Sequence, residues 1–124
     1  MKKRLRVYKM AQEKRVSQRN GHLLRNAIQT DGAIVTYNWH VPGHPPVEPH
    51  SHPFDQLAMV MAGTMIMTVD GEDYLMETGS TLLIPANLPH VSRVVGDETV
   101  LNVDVFAPSR DDYVQFAVNK GGDD

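Results

Sequence analysis

The chain has 124 residues, of which 41% are hydrophobic and 22% charged, with a formal charge of −3 and no cysteine. That length gives one domain with a single sizeable core. The absence of cysteine excludes disulfides and thiolate metal ligands together, and no apolar run approaches the length needed to span a bilayer. The charge is unevenly placed. Residues 1–19 carry eight basic side chains against one acid, Glu13, whereas residues 20–124 carry four basic and fourteen acidic ones. A basic arm can touch nucleic acid, but this one has no interleaved aromatic beyond Tyr8 and no helix-turn-helix pattern beside it. It reads as a solvated or partner-pairing arm. No apolar stretch follows the basic start, so no signal peptide is expected and the default location is cytoplasmic.

In chain order, residues 1–20 form the arm, with one short strand expected around Leu5–Tyr8. Asn20-Gly21 is a turn signal. Residues 22–29 and 33–41, separated by Asp31-Gly32, are rich in the β-branched and aromatic residues that strands favour. The run Val41-Pro42-Gly43-His44-Pro45-Pro46 lacks ladder donors and reads as a loop overhanging a pocket. An extended segment resumes at Val47–His52, where period two places Glu48, His50 and His52 on one face.

Gln56–Ala62 and Thr64–Val69 read as a hairpin about Gly63, and Asp70-Gly71 turns into a strand over 72–77. Further strands are expected at 81–84, 90–95 and 99–106. Along the last of these, Leu101, Val103 and Val105 fit packing against a second sheet, leaving Asn102, Asp104 and Phe106 to line a cavity or face solvent. Pro108-Ser109-Arg110-Asp111-Asp112 looks like a helix start, with Ser109 the N-cap and acids in the first turn. Residues 119–124 form a frayed acidic tail. Turn signals every 8–12 residues and no long helical period predict an all-β fold over 21–118: an antiparallel double-sheet jelly-roll barrel with a short C-terminal helical turn.

Within that pattern His50-Ser51-His52, Gln56 and Gly63 precede Gly79, Pro85, Asn87 and His90. This ordered pair of motifs resembles the cupin superfamily, in which His-x-His, a Glu and a later His hold a metal. Three positions depart from the family pattern. His44 stands at the leading glycine, Asn87 replaces a glycine, and Gln56 replaces the glutamate. An all-neutral shell leaves the dication's charge for anionic oxygens of a substrate and holds the metal less tightly. Within cupins, PHSHPFDQ at 49–56, LLIPANLPH at 82–90 and DVFAPSRDDYV at 104–114 resemble the small pectin-degradation family KdgF. That resemblance implies ring opening of unsaturated uronates, with Asp104, Phe106 and Arg110 as pocket residues.

Three imidazoles at these spacings point to one divalent transition metal, which donor chemistry leaves as Ni, Zn, Fe, Mn or Co. Gln56 is expected as the fourth ligand, its alternative being a hydrogen bond to a water or to a ligand imidazole. Asp104 is the candidate general acid or base and Arg110 the candidate partner of a substrate carboxylate. Each also has a plain reading, Asp104 as a surface carboxylate and Arg110 as a partner of Asp111 or Asp112. Phe106 can stack on a sugar ring or fill the barrel, and His44 sits where the proline loop would meet substrate. Glu48 reads as a rim charge, and the methionines at 59, 61, 65 and 67 as core filling rather than copper ligands.

The expected function is therefore a metal-dependent enzyme on an oxygen-rich organic or sugar acid, without nucleic-acid or membrane partners. The rival readings are a dioxygenase or lyase on another small substrate, and a non-catalytic metabolite-binding domain. Exposed sheet edges and the arm point to a homodimer.

Overall fold

The structure, a computed structural model, describes residues 5–119. Nine strands run in chain order: β1 (Val16–Gln18), β2 (Leu23–Gln29), β3 (Ile34–His40), β4 (Gln56–Ala62), β5 (Met65–Val69), β6 (Glu72–Met76), β7 (Thr81–Ile84), β8 (His90–Val94) and β9 (Val100–Phe106). They form a six-stranded sheet, β1-β2-β3-β9-β4-β7, facing a three-stranded sheet, β6-β5-β8, with every pairing antiparallel. This is the jelly-roll architecture that the strand spacing predicts. Among the described residues, no helix is long and apolar enough to cross a membrane.

Four local expectations are corrected. Residues 5–9 form no strand, and the short strand of the arm lies at β1 instead. The presumed hairpin of β4 and β5 does not pair: β4 bonds to β7 and β9, while β5 bonds to β6 and β8. Gly63 thus carries the chain between sheets, at φ 81°, where an added Cβ would stand 3.0 Å from Val100 Cγ2 and 3.1 Å from the Thr99 carbonyl. Only glycine fits both that backbone and that space. Ser109 is not an N-cap. Arg110 precedes the 3-10 helix Asp111–Phe116 without a side-chain cap bond, and Ser109 Oγ instead accepts from Gln29 Nε2 at 3.4 Å. Asn119 is tied down, exchanging hydrogen bonds with the Gln29 backbone at 2.8 and 3.1 Å, and the remaining tail lies outside the described residues.

The polar face of β9 lines a cavity, one of its two expected positions, but the apolar face does not pack against the second sheet as expected. Asn102, Asp104 and Phe106 point between the sheets and are buried, opposite Asn38, Thr36 and Ile34 of β3. Leu101, Val103 and Val105 lie on the outer side with Val35, Tyr37 and Trp39. The polar residues go inward because they satisfy one another. Asn38 Nδ2 donates to Asp104 Oδ2 at 3.2 Å, and Asn102 Nδ2 donates to Asp104 Oδ1 at 2.8 Å.

Two apolar clusters flank this polar layer. One joins Met65, Met67, Met76, Val60, Ile84 and Val100; the other joins Ala27, Ile34, Phe106 and Phe116. Met65 and Met67 do fill core, whereas Met61 is exposed. β9 runs from the first cluster at Val100 to the second at Phe106, so its middle residues sit where the sheets part to leave a site. The arm packs on the outer side: Met10 is buried, its carbonyl accepts from Asn26 Nδ2, and Arg15 lies 4.5 Å over the Trp39 ring.

Candidate metal centre

His50 and His52 lie on the extended segment leading into β4, and period two turns both inward to the same place. His90 opens β8 and meets them through a two-way backbone bridge, His50 N to His90 O at 2.9 Å and His90 N to His50 O at 2.8 Å. Two further bonds clamp the motif loops together. The Asn87 N–H donates to the His52 carbonyl at 2.8 Å, and the Ala86 N–H to Asp55 Oδ1 at 2.9 Å. Asn87 adopts φ 70°, which asparagine tolerates better than most residues.

The ligand nitrogens of His50, His52 and His90 lie within 4.8 Å of one another. His52 Nδ1 faces the Phe54 carbonyl at 3.1 Å and His90 Nδ1 faces the Leu88 carbonyl at 2.8 Å. A carbonyl only accepts, so each Nδ1 carries the proton and each Nε2 presents a lone pair. His90 Nε2 is buried without a hydrogen-bond partner. Gln56 Oε1 stands 3.1 Å from His52 Nε2. Two ligands bonded at about 2.1 Å and at right angles are themselves about 3.0 Å apart, so this spacing suits neighbours on one ion. An orphaned Nε2, two further imidazoles and an amide oxygen therefore fit a divalent transition metal, with both outer nitrogens anchored as bound imidazoles require.

Burial, reinforced by the other two imidazoles and by Arg110 and Arg19, lowers His50 to about 4. His52 is lowered in the same direction by burial and by Arg110. Both are neutral, and so ligand-competent, at pH 7. The metal-free protein should consequently lose stability on acidification. The unfolded chain holds the His50 proton below its ordinary 6.5 and the folded chain only below about 4. This contribution is complete above the upper value and fades as pH falls towards the lower. Thermal melts across that window should show the slope, and His50→Gln should flatten it.

Gln56, His50 and His90 line a cavity of about 50 Å³ together with Asp104 and Phe106. Asp104 is 7% exposed, and each of its oxygens accepts one amide bond, leaving each a free lone pair. Phe106 meets His52 edge-on at 5.5 Å between ring centres. Arg110 is 7% exposed and held by Asp112, Nε to Oδ1 at 2.9 Å and Nη2 to Oδ2 at 2.5 Å. Its guanidinium lies 3.7 Å over Tyr113 and its Nη1 is buried with no partner. Arg110 does not line this cavity; nor does His44, which borders a larger one of about 220 Å³ beneath the proline loop. Glu48 is exposed at the rim.

Sequence reasoning missed Arg19, Arg25 and Tyr113, which line the small cavity together with His40, a residue that reads from the sequence as a minor candidate for substrate contact near the proline loop. Arg25 Nε bonds Asn38 Oδ1 at 2.5 Å and His40 Nε2 bonds Asn102 Oδ1 at 3.1 Å, extending the polar layer that holds Asp104. A signal existed: Thr36, Asn38 and His40 alternate with Val35, Tyr37 and Trp39 along β3, the same polar-inward pattern as β9.

A family model described as cupin domain matches residues 39–106. Among curated proteins, the chain is 36% identical over 87 residues to an H2HPP isomerase from Bacillus subtilis, covering 69% of this chain and 36% of that protein. It is 33% identical over 67 residues to the pectin degradation protein KdgF of Dickeya dadantii, covering 53% of this chain and 60% of the relative. The match therefore spans less than two thirds of either relative. Among solved structures, an RmlC-like cupin from Shewanella frigidimarina superposes with a TM-score of 0.73 at 21% identity, over 91% of this chain and 99% of that one. KdgF from a Halomonas species superposes with a TM-score of 0.67 at 22% identity, over 77% and 87%.

Proposed function

The chain belongs to the cupin domain family, and from that premise we propose that it is a metal-dependent enzyme acting on an oxygen-rich, carboxylated small molecule. In its sharpest form the reaction is ring opening and tautomerisation of an unsaturated uronate. The observation that carries this reading is the meeting of His50, Gln56 and His90 with Asp104 around one small cavity. His50, His52, His90 and Gln56 would hold one divalent ion, which when bound supplies Lewis acidity towards substrate oxygens.

The chain's own residues supply the rest. Asp104 takes the anomeric hydroxyl proton onto a free carboxylate lone pair as the bond from the anomeric carbon to the ring oxygen breaks. It returns the proton to the alkene carbon as the resulting enolate becomes a ketone, so the isomerisation needs no co-reactant. Asn38 and Asn102 hold that carboxylate in place. Phe106 gives the small cavity an apolar wall, and Arg110 offers its Nη1, which has no partner among the described residues, to a carboxylate. The names of the two curated relatives, an isomerase and a pectin degradation protein, agree with this class. The direct test feeds unsaturated galacturonate to metal-loaded protein and follows its ultraviolet absorbance. Accelerated loss of the double bond is expected; an unchanged rate together with oxygen uptake on other substrates would replace the isomerase by an oxygenase.

We further propose a homodimer, placed in the cytoplasm, that closes over the outer side of the large sheet. Six half-exposed or buried apolar side chains of β3 and β9 meet Leu57, Met59 and Leu83 there, and Leu83 is 60% exposed. A face of that kind is normally covered. Sedimentation at micromolar concentration should give twice the 13.9 kDa chain mass, and Leu83→Lys should shift it towards the single chain.

A further inference from the structure

The cavity beside the candidate metal is small. About 50 Å³ admits one or two groups the size of water, too little for a sugar acid. Next to it, walled by Arg19, His40 and Ser92 in common, lies the cavity of about 220 Å³ beneath the proline loop. Its other walls include His22, His44, Val47 and Arg93, the last paired with Asp73, and no carboxylate among the described residues lines it.

Arg19 stands at the boundary of the two spaces. Its side chain is exposed, and partial desolvation and the neighbouring Arg25 both oppose its charge. Its backbone is left-handed at φ 53°, as is that of Asn20 at φ 55°. Two successive non-glycine residues in that region mark a turn held against its local preference, which is common where a side chain must be aimed. The turn is held by the Arg19 carbonyl, which accepts from His22 N and faces His22 Nδ1, both at 3.1 Å. The His22 carbonyl in turn accepts from Val41 N at 2.8 Å, tying the turn to the proline loop. An exposed guanidinium at the boundary of both cavities, beside a second arginine and with no acid among the described residues lining the larger one, suits an anionic group.

We infer that the larger cavity is a second compartment of the same site, which receives a carboxylate arm of the ligand, and that Arg19 is the residue that anchors it. The ligand then spans both spaces, with oxygens at the imidazole cluster and, beyond the carboxylate proposed to meet Arg110, a second carboxylate at Arg19. This rests on the proposed carboxylated ligand class but not on any turnover. It adds Arg19, from the turn before β2, to the determinants of specificity.

The test is calorimetric binding of a series of α,ω-dicarboxylates of increasing chain length, and of their half-esters, to metal-loaded protein. The diacid should bind about tenfold tighter than its half-ester at one preferred length. Arg19→Gln should reduce that ratio to about one. Amide shifts of Gly43, His44 and Ser92 in the unaltered protein should follow diacid and not half-ester, which reads the compartment without any variant. Equal affinities in the unaltered protein, or a preference that survives Arg19→Gln and disappears only in Arg110→Gln, overturns the inference. Diacid preference without uronate turnover would remove the proposed reaction and keep the compartment; turnover without the preference would do the reverse.

Discussion

His90→Ala is expected to lower metal affinity by more than about 100-fold and to abolish turnover with it. Removing a residue that merely supports a ligand already costs about 10- to 100-fold, and His90 offers a ligand atom itself. Its Nε2 is buried with no partner, while its Nδ1 is held by the Leu88 carbonyl. The backbone bridge between His50 and His90 does not involve the imidazole, so the two strands should stay paired in the variant. Elemental analysis after dialysis measures the loss, and an unchanged metal content would remove His90 from the ligand set. Gln56→Glu should act in the opposite sense, tightening the metal by adding an anionic donor where a neutral amide oxygen now stands 3.1 Å from His52.

Asp104→Asn tests the proposed proton carrier separately from the metal. General acid–base catalysis contributes about 10²- to 10⁴-fold, and kcat should fall by that much while metal content is retained. The isostere also disturbs the polar layer. Asp104 accepts from both Asn38 and Asn102, and an amide has only one acceptor oxygen, so one donor would face another. A stability loss of about 1–3 kcal/mol follows, visible as a lowered melting temperature. Unimpaired turnover in a correctly folded variant would reduce Asp104 to a structural member of that layer.

Legible in the residues alone are the parts of this protein whose order along the chain is also their chemistry. His50-Ser51-His52 shares a strand face by period two alone, and the resemblance of Gly79 through Pro85 to His90 to the second cupin motif identifies the third imidazole before any contact is known. Turn residues such as Asp70-Gly71, both left-handed, mark strand ends from local backbone preference. Long-range packing instead settles which face and which neighbour each strand takes. Leu101, Val103 and Val105 look like core, yet Asn102 and Asp104 go inward, because Asn38 on a strand sixty residues away satisfies them. Gly63 reads as a hairpin turn and is instead a crossing between sheets, since the partners of β4 and β5 come from later strands. Arg19 and Arg25 reach the site for the same reason: β2 lies next to β3 in the large sheet, a pairing that leaves no signature in the residues themselves.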